Sequence, residues 1–406
     1  MARILIYSHD TYGLGNIRRM ATIAEALVAE DESASVLIIT GSPMLHAFRL
    51  PPRIDYVKLP CLNRSDVGQY DVKHLAITQD SARRMRASII CAAAVDFDPD
   101  ILLIDKKPLG VMRELQPTLE ILSRRARPPR TYLILRDILD APEKTREVWE
   151  RNGYHAQIER YYDEILVVGE RGVFDLADEY EFPPASASRL RYAGYLRRGA
   201  GRTRPAEMRK RIGVGDEPLV LVQTGGGADG AATIDAYLDG LEMFGEAPPL
   251  RSWIICGPEL NAVDRVRLRN RMAQMPHVIH QDFADDMNAC MNTADAVVSM
   301  GGYNSVCEIL SLGKPALIVP RVLPVEEQWV RADRMARRGM VDCLHPDDLD
   351  GPTMHQRLQD LLLFGKAQIV ARQSLSLDGL EYLTRRVLRG AAPMRQACGA
   401  VLAALA

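Results

Sequence analysis

The stretch VVSMGGYNSVCEILSLGKPALIVP, residues 297–320, reads as a strand, a glycine turn, a helix, a second turn and a second strand. Short apolar runs separated by a helix-length segment pair in parallel and are covered by their crossover helices. The turn carries paired glycines, Gly301 and Gly302, and the helix behind it carries an acid, Glu308. Glycines at a helix mouth let a ligand approach the backbone, because neither has a Cβ.

The same alternation extends in both directions. ARILIYS, SVLIIT, ILLID, TYLILRD and EILVVG read as buried strands in the first half; PLVLVQTG, RSWIICG, HVIHQ, AVVSMG and PALIVP do so in the second. Segments such as NIRRMATIAEALVAE and SARRMRASIICAAAV have helical period. The alternation breaks at LRRGAGRTRPAEMRKRIG, 196–213, which is rich in Gly, Arg and Pro. The expected class is therefore α/β, with two doubly wound Rossmann-like domains. Residues 1–196 form the first domain, 197–205 a linker and 206–366 the second. The remaining residues, 367–406, form helices expected to pack back on the first domain. Open parallel sheets bind ligands at the carboxyl ends of their strands, so two such domains predict an interdomain cleft.

Composition narrows the partners. The formal net charge is −2 over 406 residues, which gives no electrostatic reason to expect nucleic acid. Seven scattered cysteines without a C-x-x-C pair read as reduced thiols of a cytoplasmic protein, and the eight histidines form no metal-ligand cluster. The N-terminus runs straight into a strand without the architecture of a signal peptide, and no apolar run approaches the ~18 residues of a membrane span. Peripheral membrane contact stays open, and the oligomeric state is not legible.

Several motifs carry candidate chemistry. In GGYNSVCE, Asn304 and Ser305 open the helix, whose N–H groups and dipole favour a phosphate. Glu308 is placed to accept two hydrogen bonds from a ribose diol. The alternative is that Ser305-x-x-Glu308 is a capping box and needs no ligand. TGGGADG sets Gly225, Gly226 and Gly227 after a strand, as a turn for anionic oxygen or as an ordinary tight connection. Neither a dinucleotide fingerprint nor a P-loop is present. In RVLPVEEQWVRADRM, Pro324 starts a helix whose exposed first turn holds Glu326, Glu327 and Gln328, suited to sugar hydroxyls or simply to the helix dipole. The first half contributes Gly13, Gly15 and Asn16 in YGLGN, Asp105 and Lys106 in LLIDKK, and Arg136 and Asp137 in LRD. His9, Asp10 and Asp137 are the candidate general bases.

Taken together these residues resemble the GT-B glycosyltransferases, and specifically glycosyltransferase family 28. The likeness is strongest over 278–340 and weaker, though in the same order, at YGLGN and TGGG. It implies inverting transfer from a nucleotide-diphosphate sugar, a UDP-sugar by expectation, with the donor on the second domain and the acceptor on the first. Gly301, Gly302, Asn304 and Ser305 would then hold the diphosphate, Glu308 the ribose, and Gly225 to Gly227 the diphosphate or sugar. Phe283 and Ala284 would flank the base through main-chain contacts, and Glu327 and Gln328 would read sugar hydroxyls. No tightly bound metal or cofactor is implied. One departure stands out. The family's first glycine turn usually ends in histidine, whereas here it ends in Asn16, which has no basic nitrogen. Two rivals remain: a UDP-sugar 2-epimerase of the same fold, and a non-catalytic nucleotide-sugar-binding protein.

Overall fold

Residues 2–9, 15–43, 49–66 and 69–390 are described by a computed structural model of the chain. The chain divides into two compact units: residues 1–195 together with 378–406, and residues 196–377.

In the first unit the strands are β1 (Arg3–Ser8), β2 (Ser35–Thr40), β3 (Ile54–Lys58), β4 (Leu62–Asp66), β5 (Gln69–Val72), β6 (Ile101–Asp105), β7 (Arg130–Arg136), β8 (Glu164–Val168) and β9 (Leu190–Tyr192). All but β4 and β5 form one parallel sheet in the order β3-β2-β1-β6-β7-β8-β9. The strands ILLID of β6 and EILVV of β8 are buried at every position, as a sheet covered on both faces requires. At the edge, β3 is buried only at Ile54, and its IDYVK lacks the apolar run that marks the inner strands. The β4–β5 pair is antiparallel and separate.

The second unit repeats the design. Its strands are β10 (Leu219–Gln223), β11 (Arg251–Ile255), β12 (Val278–Gln281), β13 (Ala296–Ser299), β14 (Ala316–Ile318) and β15 (Asp342–Cys343). The order is β12-β11-β10-β13-β14-β15, again all parallel. Its core joins Val220, Val222, Ile254, Val298 and Leu317 to Tyr237, Leu241 and Leu358 of the covering helices. In both sheets the chain starts in the middle, moves to one side, then returns across the first strand to the other. The switch points lie between β1 and β6 and between β10 and β13.

The boundaries differ from those expected from composition. Residues 197–205, read as a linker, belong to the second unit: Arg198 is buried, and its N–H donates to Ser311 Oγ at 2.9 Å. The 367–377 segment also stays with the second unit, where Arg372 donates to the carbonyls of Met340 and Lys314. The chain joins the first unit only from Asp378. There Leu383 and Val387 are buried, and Arg386 grips Glu164 through two bonds of 2.9 Å.

Candidate active site

In the first unit, the register that sets Tyr7 opposite Ile104 brings the residue following β1, His9, beside Asp105 at the end of β6. His9 Nδ1 lies 3.1 Å from Asp105 Oδ2, and Asn16 Nδ2 lies 3.3 Å from His9 Nε2. Arg19, on the Gly15–Glu30 helix, donates from Nη2 to Asp105 Oδ1 at 2.5 Å and to Asn16 Oδ1 at 3.2 Å. These contacts fix the protons. A guanidinium only donates, so Asn16 turns its carbonyl to Arg19 and its amide to His9. His9 Nε2 must then accept, which leaves its proton on Nδ1, donated to Asp105.

The electrostatics agree with that tautomer. Burial lowers the His9 pKa to about 4, overcoming the Asp105 hydrogen bond and charge that favour the imidazolium. Burial also works against ionisation of Asp105, but Arg19 and His9 outweigh it and hold the carboxyl well below its usual range. The centre is a neutral imidazole with its lone pair on Nε2, oriented by an ionised carboxylate that a buried arginine neutralises. Lys106, immediately after, sits at φ +62°, a conformation costly for a non-glycine residue and found mostly where surroundings enforce it.

The remaining first-unit candidates are placed differently. Asp137 is buried; its Oδ1 accepts from the Ile138 N–H at 2.8 Å and its Oδ2 from Tyr195 O–H at 3.2 Å. Those contacts tie down the turn after β7 and do not join Asp137 to His9. Arg136 is the half-buried last residue of β7. Gly15 begins the helix that carries Asn16, and Asp10 and Gly13 lie outside the described residues.

In the second unit both glycine turns lie at the switch point, one after β10 and one after β13. The helix after β13 is Tyr303–Ser311, and its N-cap is Gly302. This corrects the expected cap. Asn304 and Ser305 are the second and third helical residues, so Ser305 and Glu308 form no capping box. The first intrahelical bond runs from Val306 N–H to Gly302 C=O, which leaves the helix start as the electropositive end of the dipole. Asn304 Oδ1 accepts from Arg198 Nη2 at 2.9 Å, so a buried guanidinium also stands at this terminus. Cations are disfavoured at a helix N-terminus unless an anion joins them. Glu308 is 2% exposed, deeper than a surface carboxylate.

The glycines have distinct roles. A Cβ on Gly227 would lie 2.2 Å from the Cys256 carbonyl oxygen, and one on Gly257 would lie 2.6 Å from the Gly226 backbone. Gly225, Gly227, Gly257 and Gly301 all have positive φ. Two amides expected to meet a diphosphate are used internally. Gly225 N–H donates to Gln223 Oε1, and Gly301 N–H to Ser299 Oγ, both at 3.1 Å. Gly226, next in the first turn, is exposed, and its carbonyl accepts from Glu259 N–H at 2.7 Å.

Further corrections concern the segment after β14. The helix there begins at Glu327 and not at Pro324, and Glu326 is its N-cap. Glu327 and Gln328, expected to be exposed, are each 7% exposed. Gln328 Oε1 accepts from the Arg321 N–H at 3.1 Å, and its Nε2 approaches Gly302, 3.9 Å from where a Cβ would stand. Phe283 follows β12 on the sheet's carboxyl edge and is 62% exposed, with half-buried Ala284 beside it. Among the described residues, no group of three His, Cys, Asp or Glu is placed to hold a metal. No helix there is long and apolar enough to cross a membrane.

Arg19, Arg198, Gln223 and Ser299 were not singled out from the sequence. Two left a trace. Arg19 precedes Ile23 and Leu27 at spacing four, on a stripe that should be apolar, and Gln223 ends the otherwise apolar strand LVLVQ. Arg198 had none, being one of many arginines in a stretch read as a linker.

Comparisons with known proteins bear on the second unit and on the fold. Residues 221–378 match the glycosyltransferase family 28 C-terminal domain. The matched stretch coincides with most of the second unit and contains both glycine turns. A curated relative is the UDP-N-acetylglucosamine–N-acetylmuramyl-(pentapeptide) pyrophosphoryl-undecaprenol N-acetylglucosamine transferase of Alkaliphilus oremlandii. It is 25% identical over 160 residues, 39% of this chain and 42% of that enzyme. The chain thus spans about two fifths of that relative's length. Among solved structures, TcCGT1 in complex with UDP superposes with a TM-score of 0.67 at 12% identity, covering 96% of this chain and 99% of that one. A UDP-N-acetylglucosamine 2-epimerase superposes at 0.62 and 14% identity, covering 96% and 94%. The fold is GT-B, with a family 28-like second domain.

Proposed function

We propose that the chain is an inverting glycosyltransferase that moves a sugar from a nucleotide diphosphate, a UDP-sugar by preference, to an acceptor hydroxyl. The observation that carries this reading is the Tyr303–Ser311 helix, which opens at the switch point with Arg198 on its first turn. A diphosphate there meets the positive end of a helix and a buried guanidinium. Both are in place before charge develops on the leaving group, which is what electrostatic catalysis requires. The curated relative's name and the UDP bound to the solved neighbour support the same donor class.

His9 then serves as the general base. The acceptor hydroxyl replaces the long Asn16 contact at Nε2 and transfers its proton there as its oxygen bonds to the anomeric carbon. The carbon–oxygen bond to the diphosphate breaks on the opposite face, and the electron pair leaves with the nucleotide. Asp105 keeps the imidazole in the required tautomer, and Arg19 keeps Asp105 ionised. Asn16 fills the place of the family's histidine by holding His9, so its lack of a basic nitrogen does not remove the base. That arrangement favours transfer over binding alone. Glu308 and the Glu327–Gln328 pair are assigned to the ribose and the donor sugar, and Phe283 with Ala284 to the base. The reading calls for no resident metal, with the helix and Arg198 offsetting the diphosphate charge.

The experiment is a thermal-shift panel of nucleotide sugars, followed by product analysis with and without acceptors. Stabilisation by a UDP-sugar and turnover only with an acceptor support the proposal; conversion of UDP-N-acetylglucosamine without one favours epimerisation. No stabilisation by any nucleotide sugar overturns it.

A further inference from the structure

Gln223 ends β10 and Ser299 ends β13, and the two residues are direct partners in the parallel register across the switch point. Both side chains are buried, at 3% and 1% exposure. Gln223 Nε2 donates to Ser299 Oγ at 2.5 Å. Each residue also reaches forward two positions into its own turn: Gln223 Oε1 accepts from Gly225 N–H, and Ser299 Oγ from Gly301 N–H. Four groups thus form one continuous chain, Gly225–Gln223–Ser299–Gly301, across the sheet's carboxyl edge.

Main-chain turns rich in glycine have no side chains of their own to hold their shape, and glycine loses the most freedom on ordering. Here each turn is instead pinned by the side chain of the residue that ends its strand, and the two pins are bonded together. The spacing between the turns is therefore set by a side-chain bridge and not only by the strand pairing beneath. A diphosphate has a fixed span, so turns at the wrong spacing would hold one phosphate well and the second poorly.

We infer that Gln223 and Ser299 are positioning residues that set the two glycine turns to the span of a diphosphate. This rests on the donor reading above. Neither side chain touches the ligand; both act through the turns they hold.

The test compares affinity for nucleoside mono- and diphosphates: UMP and UDP first, with GMP/GDP and dTMP/dTDP alongside, by calorimetry. In Gln223→Leu and Ser299→Ala, the affinity gained from the second phosphate should fall about tenfold or more, while monophosphate binding changes little. The double variant should be no worse than the poorer single, because the pair acts as one unit. Ser299→Thr guards against misfolding, since its hydroxyl can still accept from Gln223 Nε2 and from Gly301 N–H. It should keep near wild-type stability and near wild-type diphosphate affinity. Equal losses for mono- and diphosphate, additive losses in the double variant, or a folded Ser299→Thr that loses the second phosphate as fully as Ser299→Ala overturn the inference. If the wild type binds none of the diphosphates, the donor reading fails and the inference falls with it. If the wild type binds and all variants bind alike, the inference alone fails.

Discussion

Arg19 Nη2 donates to Asp105 Oδ1 at 2.5 Å, with both side chains essentially inaccessible to water. Burying two charges is repaid only when geometry and additional hydrogen bonds compensate the lost solvation. Here the compensation is shared with His9 and Asn16, so the ion pair specifies a tautomer as well as a contact.

His9→Gln should lower transfer by about 10²–10⁴-fold, the usual contribution of a general base. Nucleotide-sugar binding to the second unit should be unchanged. Asp137→Asn, by contrast, should cost stability more than turnover, because both Asp137 oxygens hold neighbouring groups of the fold. Steady-state kinetics beside urea melts separate the two. A His9→Gln enzyme with wild-type rate would remove His9 from the mechanism.

Activity should lack an acid limb at the ordinary histidine pKa. With the folded value near 4, His9 stays neutral and basic down to that pH. A kcat/KM profile bending near pH 6.5 would point to another base.

Stability should follow the same group. The folded pKa of His9 lies below its unfolded value of 6.5, so the unfolded chain binds the extra proton between pH 6.5 and 4. Stability from the neutral, buried ring is present above that window and is lost as pH falls through it. The slope is at most about 1.4 kcal/mol per pH unit from this residue. Denaturation of wild type and His9→Gln at pH 7 and pH 4.5 should show the wild type losing more.

Glu308→Gln should weaken donor binding by about 1.5–3 kcal/mol if its carboxylate holds the ribose diol, since bonds to a charged group fall in that range. Calorimetry with UDP against ribose-5-phosphate-free analogues such as uracil reads the difference. Unchanged UDP affinity in a folded variant would remove Glu308 from the site.

Gly257→Ala should destabilise the second unit by about 1–3 kcal/mol, the cost of an enforced positive φ, before any clash with the Gly226 backbone is relieved. It should also impair nucleotide binding, because the Gly225–Gly227 turn packs directly on it. A melting curve and a UDP titration like those of the wild type would contradict this.

The sequence by itself determined the class and order of the architecture. Apolar runs such as ILLID and LVLVQ can be satisfied only as strands buried on both faces, and their spacing demands helical crossovers. It also marked the switch point of the second unit, since Gly225–Gly227 and Gly301–Gly302 must follow strands to be useful. Local pattern could not assign the helix cap, because Ser305 and Glu308 have capping-box spacing whether or not the helix starts there. The cap fell to Gly302 because the turn packs against Ile318 and bonds to Ser299.

Only tertiary structure decided the protonation of His9 and the bracing of the glycine turns. His9 and Asp105 are 96 residues apart in the chain, and Gln223 and Ser299 are 76 apart. Each pair meets because a parallel sheet sets the ends of non-consecutive strands side by side. Hydrogen bonds and burial energies depend on that distance in space, which composition and periodicity do not encode.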